Sequence, residues 1–247
     1  MNSTKRHCGW VVLGIMALLW NGCTPHDVDP EAVDAGYAYF PLEIGQYQEY
    51  VVDSIGYSVL GKDSSHFELR EVVTDSFVDL TGEMAFRIER FRRAHANVGW
   101  PSVPDSVWTA RRTAQQALRI ENNITFVRLI FPPKNRATWN VNVYNPREAE
   151  MLLFTEVGDE RTVGDSTYAQ TLKVVYNGRV EGGQVIEVDS NLLGRDVHTE
   201  VYARGVGLVE VHLEHLEYAT ENGLPVVPQR IGRGVIYRQR LVGYGKE

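Results

Sequence analysis

The sequence predicts a mainly β fold: one antiparallel, strongly curved sheet, arranged as a half-barrel or a sandwich, with at most one or two short helices. Three observations predict it. After Tyr37, apolar and polar residues alternate in many short segments, turn residues separate these segments at regular intervals, and no long helical pattern lies between them. The absence of a second linker or a repeat of fixed period indicates a single β-rich domain over residues 37–247.

The N-terminal segment predicts export. Lys5 and Arg6 precede an apolar stretch that runs from Gly9 to Trp20. This length suits the core of a signal peptide and is too short to cross a bilayer, which takes about 20 apolar residues. We therefore expect residues 1–22 to be a signal peptide.

The end of this segment, Leu19-Trp-Asn-Gly-Cys23, resembles the lipobox of bacterial lipoproteins, in which the cysteine is lipidated and becomes the mature N-terminus. Gly22 and Cys23 fit that pattern, whereas Trp20 and Asn21 depart from it and Leu19 lies one place early. The resemblance implies an acyl chain such as palmitate on Cys23. It also implies a location in the cell envelope, with the outer membrane as the expected membrane.

Residues 23–36 predict a flexible acidic tether between the lipid and the domain, because they combine four acidic residues and two prolines with little to bury. The chain has two cysteines, Cys8 and Cys23. A mature chain that begins at Cys23 therefore has no further thiol for a disulfide, a zinc site or a nucleophile, and we expect no metal and no cofactor.

The charge of the chain argues against nucleic acid as a partner. The full sequence has a net charge of −7. Removing residues 1–22, with two basic residues and no acidic one, leaves 23 basic and 32 acidic residues, a net charge of −9. Nucleotides are not expected either: Gly56–Asp63 approximates a phosphate-binding loop, but Asp63 stands where Ser or Thr is needed and would repel a phosphate.

The strand prediction rests on alternation such as Met84, Phe86 and Ile88 with Arg87 and Glu89 between them. The other predicted strands are Phe67–Val78, Asp105–Ala110, Gln116–Glu121, Ile124–Phe131, Leu172–Tyr176, Val185–Val188, Asp196–Ala203, Val206–Tyr218 and Val235–Val242. Turns are predicted at Leu80–Gly82, Glu121–Asn123, Asn177-Gly178, Gly182-Gly183, Gly194–Asp196 and Glu221–Gly223, of which Asn177-Gly178 is the strongest hairpin signal.

Residues 146–154 leave two structures open. Asn145 and Pro146 suit the start of a helix, and Glu148 would lie in its first turn, so Met151–Phe154 would be its apolar end. A strand from Met151 to Val157 fits the same residues.

Several short motifs resemble a group of uncharacterised bacterial envelope lipoproteins. The first is Tyr39-Phe-Pro-Leu-x-x-Gly-x-Tyr-x-x-Tyr50, a YFPL-x-x-G-x-Y opening strand. Leu129-Ile-Phe-Pro132, Trp139-Asn140 and the YA-x-GVGLV strand at Tyr202–Val209 fit the same group. The resemblance implies a long, curved antiparallel sheet like the half-barrels of lipoprotein carriers. It implies no catalytic residue.

Two sets of residues are candidates for ligand binding. Glu210, His212 and Glu214 would share one face of a strand, with neighbours about 6.6 Å apart. They form either a solvated polar face or a ligand or acid–base site. Trp100 and Trp108 flank two prolines and form either an aromatic lip for a sugar or peptide, or a loop buried on the sheet edge.

Three functions follow from these features. The first is a non-enzymatic, membrane-anchored envelope lipoprotein that binds an apolar ligand, a glycan or a partner protein. The second is a glycan- or ester-directed hydrolase that uses exposed carboxylates such as Glu210 and Glu214. The third is a structural subunit of an envelope complex. Because no recognisable catalytic motif occurs, the sequence favours the first and predicts no catalytic residue.

Overall fold

A computed structural model describes residues 34–247. The predicted signal peptide, Cys23 and nearly all of the predicted tether lie outside the described residues, so those predictions stay untested. Ala35–Glu247 form one compact unit. It contains no α-helix, and Tyr37–Tyr39 form a single 3-10 turn before the first strand.

The strands follow one another with short turns. In chain order they are β1 (Gln46–Ser58), β2 (Gly61–Val78), β3 (Met84–Arg93), β4 (Ser106–Arg112), β5 (Gln116–Glu121), β6 (Ile124–Ile130), β7 (Thr138–Asn140), β8 (Met151–Val163), β9 (Ser166–Tyr176), β10 (Arg179–Glu181), β11 (Gln184–Ile186), β12 (Val188–Ser190), β13 (Gly194–Ala203), β14 (Gly207–Tyr218), β15 (Thr220–Glu221), β16 (Leu224–Pro225) and β17 (Ile231–Lys246).

Thirteen of these strands form one antiparallel sheet in the order β6-β5-β4-β3-β2-β1-β17-β14-β13-β9-β8-β7, with β12 added beside β13. The pairs β10–β11 and β15–β16 form two small separate ribbons. The prediction of a mainly β protein built on one curved antiparallel sheet is therefore confirmed. Residues 151–163 form β8. Of the two structures predicted for residues 146–154, the strand that begins at Met151 is therefore the one present, and the helix is not.

The sheet curls until its two edge strands, β6 and β7, lie side by side. The Val127 amide donates to the Val141 carbonyl over 2.9 Å, and Trp139 Nε1 donates to the Val127 carbonyl over 2.8 Å. Register shifts, such as those at Glu49/Tyr50 and Val201/Tyr202, bend the long strands and increase their twist. Of the two predicted arrangements, the curved single sheet is present, and it is nearly closed.

The enclosed space holds the main apolar core. Large side chains from both ends of the strand order meet there, among them Leu129, Trp139, Phe154 and Leu172. The rings of Trp139 and Phe154 lie 4.4 Å apart between centroids. This packing joins the first half of the chain to the second.

The β8–β9 hairpin bends away from the main sheet near Gly158, where the register shifts between Thr155 and Asp159. Its far end returns to the sheet, because Val163 belongs to the same buried cluster as Val201 and Val209.

Two turn predictions were wrong in detail. Asn177-Gly178 does not form a hairpin, because β9 pairs with β8 and β13 while β10 pairs with β11. A Cβ at position 178 would lie 2.8 Å from Val175 Cγ1, so this glycine permits close packing on β9. Gly194–Asp196 is not a turn but the start of β13.

Trp139 provides a test of edge closure. We expect Trp139→Ala to lower the free energy of unfolding by about 3–5 kcal/mol, because it leaves a large cavity. Trp139→Phe keeps most of the ring but leaves the Val127 carbonyl without its donor, which should cost about 1–3 kcal/mol. Urea denaturation of both variants measures these losses.

The matched control is Trp100→Phe, which removes an indole at the surface and should change stability by less than about 0.5 kcal/mol. Equal losses for Trp139→Phe and Trp100→Phe would contradict the role of the indole hydrogen bond in closing the sheet.

Candidate functional site

Charged side chains replace apolar ones over part of the inner face of the sheet. Alternate residues of a strand share a face, so Glu71 lies on the same side as Val73, Arg90 on the same side as Ile88, and Glu200 on the same side as Tyr202. These residues border a cavity of about 220 Å³, here called the charged cleft. Its lining is Glu71, Arg90, Trp108, Arg119, Arg128, His198, Glu200, Leu208, Val211, Leu213, Tyr237 and Gln239.

Glu71 on β2 is the first anionic centre of the charged cleft. It is buried, and two arginines hold it: Arg90 Nε donates to its carboxylate over 2.9 Å, and Arg119 Nη2 donates to its other oxygen. Burial alone would raise the pKa of Glu71, but the two guanidinium groups overcome this effect and hold the pKa below its usual value. Glu71 is therefore a carboxylate at neutral pH.

Glu200 on β13 is the second anionic centre. Its carboxylate accepts hydrogen bonds from the hydroxyls of Tyr176 at 2.9 Å and Tyr202 at 2.5 Å, and it lies 3.4 Å from the Arg128 guanidinium. Burial would raise the pKa of Glu200, but Arg128 and the two hydroxyls keep it low. Arg128 also lies 3.5 Å from Glu121. The positive and negative groups thus alternate across the inner face.

His198 lies beside this second centre. Its ring stacks on Tyr176, with 3.5 Å between centroids and 14° between planes. Burial lowers the pKa of His198 to about 4, since the attraction of Glu200 and Asp196 does not offset burial and the repulsion by Arg128. His198 is therefore neutral at neutral pH and adds no charge to the cleft.

Trp108 on β4 connects the arginines of the cleft. The Arg90 guanidinium lies 3.6 Å and the Arg119 guanidinium 4.7 Å from the ring centroid, which are cation–π distances. Trp108 Nε1, Arg119 Nε and Arg128 Nε are buried, and none of them has a hydrogen-bond partner. Three N–H donors from lining residues thus lack an acceptor, and a buried donor without a partner costs about 1–3 kcal/mol.

This chemistry suits binding better than proton transfer. A general acid or base works best when its pKa lies near the working pH. Both carboxylates of the cleft are held ionised by arginines, and the pKa of its histidine is far below neutrality. A polar ligand in the cleft would instead meet fixed charges of both signs.

The outer face of β14 carries the residues predicted from alternation. Glu210, His212 and Glu214 lie on one face of β14. Their cross-strand partners on β13 are Val201, Thr199 and Val197, respectively. Glu210 pairs with Arg161 at 2.9 Å, which holds the bent β8–β9 hairpin against the sheet. Glu214 is buried and receives a hydrogen bond from Arg195 at 2.6 Å and contacts His212 at 2.9 Å.

The side chains of Arg195 and His212 keep the pKa of Glu214 below its usual value, although burial opposes this shift. An open groove of about 660 Å³ follows this face, and Glu210 and His212 line it. The arginine pairs give both carboxylates a role in packing, and a ligand role for this face remains a prediction.

The two predicted tryptophans lie apart. Trp108 is part of the charged cleft, whereas Trp100 packs on the Arg93 guanidinium at 4.0 Å and covers the outer face of β2 and β3 beside Val72. They therefore do not form the common aromatic lip that was one of the two predicted arrangements.

Most of the charged cleft was missed from the sequence. A usable signal was present, because Arg119 shares a strand face with the buried Ala117, and Glu200 shares one with Tyr202. A charge aligned with buried residues indicates an inward-facing position. Pairing such a position with its partner on another strand requires the sheet order.

Two further features apply to residues 34–247. No helix there is long and apolar enough to cross a membrane. Within the same range, no group of three or more His, Cys, Asp or Glu side chains is arranged to hold a metal ion.

Comparisons with known proteins identify no family for this chain. No protein-family model matches the chain, and no curated protein matches its sequence. A solved structure from Bacteroides fragilis, described as an exported protein with a YmcC-like fold, is 11% identical with a TM-score of 0.37, over 84% of this chain and 98% of that one. A Parabacteroides distasonis structure described as a lipoprotein is 10% identical, with the same TM-score and coverage. Likeness at this level assigns neither a family nor a function.

The pKa of His198 predicts acid sensitivity. Its pKa is about 4 in the folded chain and about 6.5 when unfolded, so the unfolded chain binds a proton first as the pH falls. This contribution to stability is complete above about pH 6.5 and is lost progressively toward pH 4; the full shift corresponds to about 3 kcal/mol. The variant His198→Phe keeps a ring on Tyr176 but cannot bind this proton. Between pH 6.5 and pH 4 we therefore expect its free energy of unfolding, measured by urea denaturation, to fall less than that of the wild type.

His215→Gln is the matched control, because the His215 side chain is 60% exposed. It should retain the pH dependence of the wild type. If His198→Phe shows the same loss of stability toward pH 4 as the wild type, that result would contradict a buried, neutral His198.

Proposed function

We propose that this protein is an exported envelope lipoprotein, anchored through Cys23 in the outer membrane, whose domain binds a small polar ligand in the charged cleft without transforming it. The observation that carries the binding role is the cavity of about 220 Å³ lined by the charged side chains of Glu71, Glu200 and three arginines. Support for the anchor comes from the signal-like N-terminus and from the resemblance of Leu19–Cys23 to a lipobox.

The ligand type is narrower than the one predicted from the sequence. An apolar ligand needs an apolar lining, but the purely apolar part of the interior is filled by side chains such as Phe154 and Leu172. The cavity that remains is charged and has about 220 Å³, below the roughly 300–1,000 Å³ of sites for drug-sized molecules. A ligand no larger than a monosaccharide or an amino acid fits these limits.

A hydrolase is less well supported. The exposed carboxylates named for that role, Glu210 and Glu214, are paired with Arg161 and Arg195 on the outer face. In the cleft, Glu71 and Glu200 are held ionised, so neither serves as the protonated acid that hydrolysis of a glycosidic bond requires.

A structural subunit is a second candidate, favoured by exposed aliphatic residues at one end of the sheet. Val59 and Leu60 in the β1–β2 turn are 97% and 96% exposed, and Val227 between β16 and β17 is 89% exposed. Leu192, before β13, is 72% exposed. The pairing of β1 with β17 and of β14 with β13 brings these turns to the same end.

Native mass spectrometry of protein isolated from its own envelope tests the binding role. We expect a bound species of small mass on the wild type, and a reduced bound fraction for Trp108→Phe, which shrinks the ring that lines the cleft and on which Arg90 and Arg119 pack. Trp100→Phe, the same change on the outer face, should leave the bound fraction unchanged. A protein isolated with a second polypeptide and no small molecule would instead support the structural subunit.

Metabolic labelling with a lipid precursor tests the anchor. We expect label on the wild type and on Cys8→Ala, whose substitution lies within the predicted signal peptide, and none on Cys23→Ala. An unlabelled wild type would rule out lipidation.

A further inference from the structure

The hairpin of β2 and β3 extends beyond the neighbouring strand β1. The last residue of β2 that pairs with β1 is Val72, opposite Tyr47, whereas β2 continues to Val78, which pairs with Met84 on β3. The part of β2 after Val72 adds about 20 Å at the usual rise of a strand. The end of this hairpin, Val78–Met84, is here called the β2–β3 tip.

The β2–β3 tip exposes aliphatic side chains. Leu80 is fully exposed at the turn, and Val78 and Met84, on either side of it, are 64% and 51% exposed. The carboxylate of Asp79, next to Leu80, is not free, because Arg111 pairs with it at 2.8 Å. The outermost part of the tip is therefore aliphatic, which water solvates poorly.

The β2–β3 tip lies beside the start of the domain. Arg111 Nη1 donates to Asp79 Oδ2 over 2.8 Å. The next residue, Arg112, donates to the carbonyls of Tyr37 and Phe40 over 3.2 and 3.0 Å. Two consecutive arginines thus connect the tip with the 3-10 turn through which the chain enters the domain. The tip and the attachment point of the predicted tether therefore lie at the same end of the sheet.

The length of the predicted tether limits which surface of the domain can meet the membrane. Asp34 lies 11 residues after Cys23. A chain of this length spans at most about 36–40 Å. The other exposed aliphatic turn that borders β2, Val59-Leu60, lies at the opposite end of this strand of 18 residues. That is about 56 Å along the strand from the β2–β3 tip, more than the full reach of the tether.

A lipid surface suits the β2–β3 tip better than a protein does. A protein partner must offer a pocket that matches the tip, whereas the boundary between head groups and acyl chains accepts apolar groups of any shape to a depth of about 5–10 Å. Stable attachment of a lipid-anchored protein also takes a second contact besides a single acyl chain. Attraction to anionic lipid would not supply it, because Asp75 and Glu83 beside the tip are exposed acids.

We infer that the β2–β3 tip inserts its aliphatic side chains into the surface of the membrane that holds the lipid on Cys23. This inference rests on the anchor of the proposed function and adds a second membrane contact, which sets the orientation of the domain. The turn at Val59-Leu60 then lies on the side that faces away from this membrane.

Fluorescent labels at the two ends of β2 test the inference in the lipidated full-length chain. We would prepare Leu80→Cys and Leu60→Cys in a Cys8→Ala background, attach an environment-sensitive dye, and reconstitute each protein in phosphatidylcholine vesicles. Both leucines are exposed residues in hairpin turns, so the labels differ in position only. We expect the dye at position 80 to shift its emission to the blue and to be quenched by nitroxide-labelled lipid. The dye at position 60 should show neither effect.

A second pair of variants tests whether aliphatic contact holds the tip in the lipid. In the labelled Leu80→Cys protein, Val78→Asp should reduce the quenching, because burying a charge in lipid is unfavourable. Val59→Asp, the same change in the β1–β2 turn, should leave the quenching unchanged. Phosphatidylglycerol in place of part of the phosphatidylcholine should not increase it.

Three results would overturn the inference: no quenching at position 80, equal quenching at positions 80 and 60, or quenching that Val78→Asp does not reduce. A tip that docks on a protein gives the first result, because the vesicles contain lipid only. The Cys8→Ala chain without a further substitution separates this failure from that of the proposed anchor. Dye bound to that chain means a free thiol on Cys23 and removes the anchor, whereas an unlabelled chain with no quenching at position 80 removes only the inference.

Discussion

The meeting of β6 with β7 is the contact on which the rest of the molecule depends. A single sheet has two faces and two edges, and it buries a core only if it curls far enough for one face to enclose space. The backbone hydrogen bond from Val127 to Val141 and the indole bond of Trp139 join the two ends of the strand order. They also bring the strands of the first half of the chain opposite those of the second half, so that Arg128 reaches Glu200.

Enclosure has a consequence for the charges on the inner face. A charge removed from water is tolerated only when partners and hydrogen bonds replace the water. Glu71 and Glu200 meet that condition, each with two or more donors from other positions in the sheet. Trp108, Arg119 and Arg128, which line the same cavity, each keep one buried N–H that does not meet it. One oxygen of Glu121, beside Arg128, is also buried without a hydrogen-bond partner. The cleft is thus a polar region inside an otherwise apolar interior.

The two faces of the sheet use similar residues for different purposes. On the outer face, Glu210 and Glu214 pair with Arg161 and Arg195 and hold the bent hairpin and the neighbouring strand in place. Inside, arginine and glutamate pairs surround an open space. Residue type therefore does not distinguish packing from binding here. The distinction depends on whether the pairs close a surface or border a cavity.

The sequence by itself determined the β class, most strand positions and the outer grouping of Glu210, His212 and Glu214, because alternation and turn residues act over a few neighbouring residues. It misplaced the hairpin at Asn177-Gly178, since the partner of β9 is chosen by packing with β8 and β13, not by the local turn. It also grouped Trp100 with Trp108, because the two residues are close in sequence. In the folded chain they lie on opposite faces of the sheet and cannot form one site. The charged cleft was decided only by the tertiary structure, because its residues, from Glu71 to Gln239, come together through sheet order and closure, and no local pattern encodes either.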